Sequence, residues 1–190
     1  MSGPVERAPG LDGAPRLEIA HSAQIEPARL AAVRVMVEEA FAGRFLPDDW
    51  EHCLGGVHVM LFDGDDPIGH AAVGQRRLVH RGYPLRAGYV EAVAVRPDRR
   101  GEGHASTLME RVEAICAAAY DLGALRSAER AVHLYERRGW LLWHGPCSQL
   151  TTEGLLPTPD TSSPLYVLPL ERDLDRDAAI VCDPRPGRPW

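Results

Sequence analysis

Lysine is missing from the chain: all 21 basic residues are arginine. A lysine Schiff base and the lysine of a Walker A loop are thereby excluded. No apolar run approaches the ~20 residues needed to cross a bilayer. Residues 1–15 carry Gly, Pro and charge but lack the apolar stretch of a secretion signal. A disordered lead-in, no membrane association and a cytoplasmic protein are therefore expected. Cys53, Cys116, Cys147 and Cys182 form no close CxxC pair, which predicts buried free thiols and no metal or redox site. Basic charge is not in excess either. A net charge of -6 speaks against nucleic acid as the main partner and is compatible with a cationic one.

With no internal repeat and no linker, 190 residues of which 45% are hydrophobic and 25% charged predict one globular domain over residues 16–190. RLEIAHS alternates as a first strand. PARLAAVRVMVEEAF follows as a helix with Leu30, Val33, Val37 and Phe41 on one face behind Pro27. FAGRFLPDDWEHCLGG holds a second short helix. VHVMLFD, IGHAAVGQRRLVH and LRAGYVEAVAV, joined by the turns GDDP and RGYP, form an antiparallel meander.

From His104 to Leu122 the set Leu108, Met109, Val112, Ile115, Cys116 and Ala119 predicts a long helix, with Gly123 as its C-terminal cap. A short GAL strand leads to a helix whose face carries Ala128, Ala131, Val132 and Tyr135, ended by Gly139. WLLWH and PLYVLPL finish the sheet. The segment between them reads as a loop with room for one short strand. The outcome is an α/β fold of the α+β kind, with a mixed, mostly antiparallel central sheet flanked by helices.

Arg100-Gly101-Glu102-Gly103-His104-Ala105 joins a strand to a long helix. Uncovered backbone N–H groups and the positive end of the helix suit an anion there, and pyrophosphate is the natural ligand. A dinucleotide-binding fold would need G-x-G-x-x-G inside a βαβ unit, whereas three meander strands precede this loop. A plain Arg/Gly connection fits the six residues equally well.

The element order, VAVRPDRRGEGHA and the later AVHLYERRGW together resemble the Gcn5-related N-acetyltransferase superfamily, from about residue 16 to about residue 170. That resemblance implies acetyl-CoA as co-substrate and no metal. It implies main-chain contacts from Val93 and Val95 to the pantetheine arm, and Arg100, Gly101, Gly103, His104 and Ala105 around the phosphates. Tyr135 takes the place of the tyrosine that protonates the departing thiolate. Such a phenol is suited to that role because it stays protonated at neutral pH. A core tyrosine on an apolar helix face is the alternative. Ala128 departs from the pattern, standing where many relatives carry asparagine. Glu91 sits where a carboxylate can accept the proton of the attacking amine; a salt bridge to Arg77 or Arg86 would equally explain it.

A narrower resemblance, from about residue 30 to Trp190, is to the aminoglycoside 2'-N-acetyltransferases. FAGRFLPDDWEHCLGGVH, HAAVGQRRLVHRGYPLRAGYVEAVAV, LGALRSAERAVHLYERRGWLLWHGP and CDPRPGRPW carry it. It implies an aminoglycoside-type partner met by Asp49, Glu91, Asp160 and the terminal carboxylate of Trp190. The fold's relatives also raise the expectation of a homodimer. Asp49 could equally be a helix-start acid, and Trp190 a frayed or packed end. Arg44 and Arg188 stand where polyamine-binding members carry acids. Guanidinium groups there would repel a purely cationic drug and pair with a carboxylate-bearing one such as kasugamycin, unless both are simply solvated.

Overall fold

The computed structural model describes residues 6–8, 14–158, 163–170 and 172–190. Strands β1 (Glu6–Ala8) and β2 (Arg16–His21) come first, then helices α1 (Pro27–Phe41) and α2 (Pro47–Glu51). Strands β3 (Val57–Asp63), β4 (Asp66–His80) and β5 (Tyr83–Val95) lead into helix α3 (His104–Ala119). Strand β6 (Leu122–Arg126) and helix α4 (Val132–Glu136) follow, then β7 (Leu141–Leu142), β8 (Cys147–Thr151), β9 (Gly154–Pro157), β10 (Leu165–Pro169) and β11 (Ile180–Cys182). The strand order is β1-β2-β3-β4-β5-β6-β10-β7, with β11 pairing β4 and β8, and β9 pairing β8. The sheet is mixed. β5 with β6 and β8 with β11 run parallel, while β1–β2, β2–β3, β3–β4, β6–β10 and β7–β10 run antiparallel. Within residues 1–15, expected to lack structure, Glu6–Ala8 pairs with β2; residues 1–5 and 9–13 lie outside the described residues.

The chain divides into two compact units, the first holding Met1–Gly74 and Val90–Val112, the second Gln75–Tyr89 and Glu113–Trp190. In the first, α1 starts where the Glu26 carboxylate accepts the N–H groups of Ala28 and Arg29 at 3.0 and 2.9 Å, with Pro27 in the first turn. It ends at Ala42, which takes a left-handed φ of 51°. The helix buries Val33, Met36, Val37 and Ala40, and Leu30 and Phe41 flank them. The face is thus turned slightly from the one the sequence predicts. Trp50 of α2, Met60 and Phe62 of β3, Ala72 of β4, and Ala92 and Ala94 of β5 complete this core. Each large apolar side chain so buried stabilises by roughly 1.5–3 kcal/mol.

In the second unit, β4 turns into β5 through Arg81 and Gly82, both at positive φ (50° and 80°), as a two-residue hairpin turn matched to strand twist requires. Leu78, Leu85, Ala87, Tyr89, Leu122, Ala124, Leu165, Val167 and Ile180 form its core with Trp143 and Trp190. The expected helix over 104–122 is shorter than its apolar spacing suggests. It stops at Ala119, and Leu122–Arg126 becomes β6, pairing β5 and β10. Gly123 is therefore a strand residue and not a cap. A Cβ there would stand 2.9 Å from Trp140 Cη2 and 3.1 Å from Leu168 Cβ, so close packing explains the glycine. The segment after β7, expected as a loop with room for one short strand, contains two, the hairpin of β8 and β9, and the tail contributes β11, with Ile180 opposite His80.

All four cysteines are free, with Cys53, Cys116 and Cys182 buried. Burial pushes the Cys116 thiol up to about 12. Among the described residues no helix is long and apolar enough to cross a membrane, and no group of three His, Cys, Asp or Glu could hold a metal ion.

Candidate active site

The centre of β5 is irregular. Leu85, Ala87 and Tyr89 belong to the core of the second unit, and Ala92 and Ala94 to that of the first. Ala92 takes a left-handed φ of 50°, which a strand residue with a Cβ rarely adopts. Its carbonyl is bonded to a side chain, the His70 imidazole at 3.0 Å, as at a β-bulge, which leaves a peptide group outside the ladder. Beyond it, Glu91, Val93 and Val95 share a half-buried face opposite the core-facing Ala92 and Ala94. The strand thus presents a carboxylate and two valines in one row.

That row runs into the Arg/Gly turn. Gly101 and Gly103 have φ of 85° and 86°, and no atom lies within 4 Å of where a Cβ would stand on either. Both glycines serve backbone conformation, and the space above them is open. The Gly103 carbonyl accepts from the Ser106 and Thr107 N–H groups at 2.9 and 3.2 Å, so α3 begins there. The amides of His104 and Ala105 precede the helix's own ladder and belong to its positive end. No acid occupies the first helical turn. The open, donor-rich turn can accept an anionic group.

Arginines shape the turn rather than line it. The Arg100 guanidinium donates to the Ala40 carbonyl at 2.8 Å and to the Val95 carbonyl at 3.2 Å, tying the turn to the end of α1. Arg99 donates to both Glu102 oxygens at 3.1 Å and to Asp63 at 2.6 Å, and Arg96 grips Asp98. The hydrogen bond from Arg96 holds the Asp98 carboxyl below its usual range. His104 lies 3.1 Å from Glu102.

Behind the bulge stands a group that the spacing of the motifs did not reveal. His70 Nδ1 is 3.0 Å from the Ala92 carbonyl, His70 Nε2 is 2.9 Å from His58 Nδ1, and His58 Nε2 is 2.9 Å from Ser22 Oγ. Both imidazoles are fully buried, and Trp50 lies tilted beside them at 6.0 and 5.7 Å. Burial pushes His58 down to about 4, helped by His21 and opposed by the Cys53 carbonyl. Burial likewise pushes His70 down to about 3, with His58 adding to it. The signal was present in the sequence: His58 shares strand parity with Met60 and Phe62, and His70 with Ala72, so both had to face the core.

Asp49 lies in the first turn of α2, and its carboxylate accepts the Leu46 N–H at 2.8 Å. The helix-start role weighed from sequence is present. Arg44 is exposed in the connection between α1 and α2, and no ion pair joins it to an acid among the described residues. Arg86, one expected partner of Glu91, lies 3.7 Å from Asp121.

In the second unit, Tyr135 sits on α4 and is only 5% exposed. Its ring lies 6.1 Å from Trp140 and 6.5 Å from Tyr166. Burial pushes its phenol well above the ordinary tyrosine range. The helix is one short turn preceded by a 3-10 segment, Glu129–Ala131, rather than the longer helix expected. Glu113 steadies the following chain by accepting two bonds from Arg138 at 2.7 Å and one from Trp140 Nε1 at 3.0 Å.

The C-terminus is anchored. Arg76, 6% exposed, donates to the Asp183 carboxylate at 2.8 Å, the Asp183 carbonyl at 2.7 Å and the Pro189 carbonyl at 2.6 Å. Trp190 is 7% exposed, donates from Nε1 to Thr158 Oγ1 at 3.1 Å, and lies under the Arg126 guanidinium. The packed end, not the frayed one, is what forms. Arg188 is exposed, and its carbonyl accepts from Arg185. Asp160 lies outside the described residues.

Residues 25–140 match the model of the acetyltransferase (GNAT) family. Over 176 residues, covering 90% of each chain, the sequence is 45% identical to the aminoglycoside 2'-N-acetyltransferase of Mycolicibacterium fortuitum. Among solved structures, it is similar to the Escherichia coli GNAT family N-acetyltransferase YhbS in complex with CoA. The TM-score is 0.64 at 18% identity, over 94% of this chain and 92% of that one. Escherichia coli ElaA is similar too, at TM-score 0.59 and 13% identity over 82% and 99%. These two likenesses concern the fold alone.

Proposed function

The chain belongs to the acetyltransferase (GNAT) family, and from that premise we propose that it transfers the acetyl group of acetyl-CoA to the 2'-amine of an aminoglycoside antibiotic. The observation that carries this reading is the row Glu91, Val93, Val95 leading into an open turn with left-handed Gly101 and Gly103 at the start of α3. The turn offers backbone donors to the pyrophosphate through Gly101, Gly103, His104 and Ala105. The carbonyl and amide groups around Val93 and Val95 line up the pantetheine arm. The 45% identity to an aminoglycoside 2'-N-acetyltransferase supports the choice of acceptor.

Transfer is direct, without an acyl-enzyme. The amine nitrogen attacks the thioester carbonyl carbon as its proton passes to Glu91, directly or through water. The tetrahedral intermediate collapses, the C–S bond breaks, and the departing sulfur takes a proton from Tyr135. The phenol is protonated at neutral pH and so can supply that proton. Asp49 and the terminal carboxylate of Trp190 meet ammonium or hydroxyl groups of the drug.

Exposed Arg44 and Arg188 favour a drug that bears a carboxylate, of which kasugamycin is one. Acting as a homodimer in the cytoplasm and conferring resistance complete the reading. Labelled acetyl-CoA offered with kasugamycin, gentamicin, spermine and a basic peptide tests it. Transfer to a 2'-amino sugar is expected; transfer only to spermine or the peptide would overturn it. Arg44→Asp is expected to slow the carboxylate-bearing drug and speed the purely cationic one. Equal rates for both drugs in both proteins would remove the specificity argument.

A further inference from the structure

We propose that His70 is a positioning residue: it holds the left-handed bulge at Ala92 that sets Glu91 and the valine backbone in register for acetyl-CoA. A left-handed backbone is unfavourable for any residue with a Cβ, and Ala92 has one. A bulge also removes a peptide group from the ladder, and a buried carbonyl without a donor is costly. The Ala92 carbonyl meets the Nδ1 of fully buried His70 at 3.0 Å. The bulge therefore exists with its compensating donor supplied by the neighbouring strand.

The direction of the hydrogen bonds follows from the carbonyl, which can only accept. His70 must carry its proton on Nδ1, and as a neutral ring it then accepts at Nε2. His58 consequently donates from Nδ1 at 2.9 Å and accepts at Nε2, leaving the Ser22 hydroxyl to donate at 2.9 Å. The Ser22 Oγ also lies 3.1 Å from the Gly56 carbonyl, but the Ser22 backbone N–H already serves that carbonyl at 3.0 Å, so the one hydroxyl proton can go to His58. Three donors point one way, toward Ala92. A chain ending on a carbonyl moves no proton to the substrate; its work is to fix one tautomer and one backbone conformation. Glu91 and Val93 flank the held residue, so a strand that slipped out of the bulge would turn Glu91, Val93 and Val95 away from their common face.

The inference rests on the acetyl-CoA reading but not on the choice of amine, so its test is acetyl-CoA binding measured calorimetrically without acceptor. Asparagine places an amide N–H where Nδ1 stands, and glutamine places one near Nε2. His70→Asn is expected to bind acetyl-CoA within about twofold of the wild type. His70→Gln and His70→Leu are expected to bind about tenfold or more weakly, the effect of leaving a buried carbonyl unpaired. Ala92→Gly removes the Cβ strain, and in the His70→Leu background it is expected to recover a substantial part of that loss. Val33→Ala, in the same core, is expected to lower the melting temperature without weakening binding. Should His70→Leu fail to fold, the Asn and Gln variants decide alone. Equal binding by those two, or loss of binding in Val33→Ala to match its lost stability, would overturn the proposal. Tight acetyl-CoA binding by a wild-type protein that acetylates no 2'-amino sugar would sink the choice of amine and leave this proposal standing.

Discussion

Acid should unfold this protein through two buried imidazoles. His58 and His70 are neutral in the fold, pushed down to about 4 and about 3 by burial, whereas in the unfolded chain each returns to about 6.5. Below pH 6.5 the unfolded chain binds protons that the fold refuses. The stability contributed by these groups is therefore complete above about pH 6.5 and is lost as pH falls toward their folded values. At pH 5 a histidine held near 4 has lost about 2 kcal/mol relative to pH 7, and the pair about 4 kcal/mol. Against a typical domain stability of about 5–15 kcal/mol, that loss is large. Urea unfolding at pH 7 and pH 5, followed by tryptophan fluorescence and far-ultraviolet circular dichroism, measures it. Carboxylates titrate in both wild type and variants, so the informative comparison is with His70→Asn, which removes one of the two groups. Its loss between the two pH values is expected to be smaller than the wild type's by about 2 kcal/mol. The same pH dependence in both proteins would mean that His70 is not held neutral, and would refute the reasoning.

Two substitutions probe the second unit. Tyr135→Phe keeps the buried ring and removes only the phenol, so turnover is expected to fall by roughly 10²–10⁴ while acetyl-CoA affinity stays within about twofold. Full activity in that variant would remove the proposed general acid. Gly123→Ala forces a Cβ to within 2.9 Å of Trp140 and 3.1 Å of Leu168, and overpacking of that kind costs about 1–3 kcal/mol in urea unfolding. No loss would mean that packing is not why glycine stands there.

The first unit was the more legible in sequence because its signals are local. Pro27 and the apolar stripe behind it mark α1 with the bounds observed, and the three meander strands fall between their Gly and Pro turns. Gly101 and Gly103 likewise advertise a special backbone, and they have it. The misses follow from contacts remote in sequence. β11 is three residues long and exists by pairing with β4, a hundred residues earlier, and with β8. Gly123 has the look of a helix cap until Trp140 and Leu168 close on it. Ala92 carries no mark of a bulge, since alanine is not a residue that seeks left-handed φ; its compensation lies on another strand, in His70. The Arg100 side chain spans Ala40 and Val95, and the bond to Ala40 is a long-range one that no local motif encodes.

The most direct measurement is the site of acetylation. The protein is incubated with acetyl-CoA and a pair of aminoglycosides that differ only in bearing an amine or a hydroxyl at the 2' position, and the products are resolved by nuclear magnetic resonance. A single acetyl group on the 2' nitrogen of the first drug, with no product from the second, is the expected result. Acetylation elsewhere on either drug, or acetyl transfer to neither, would contradict it.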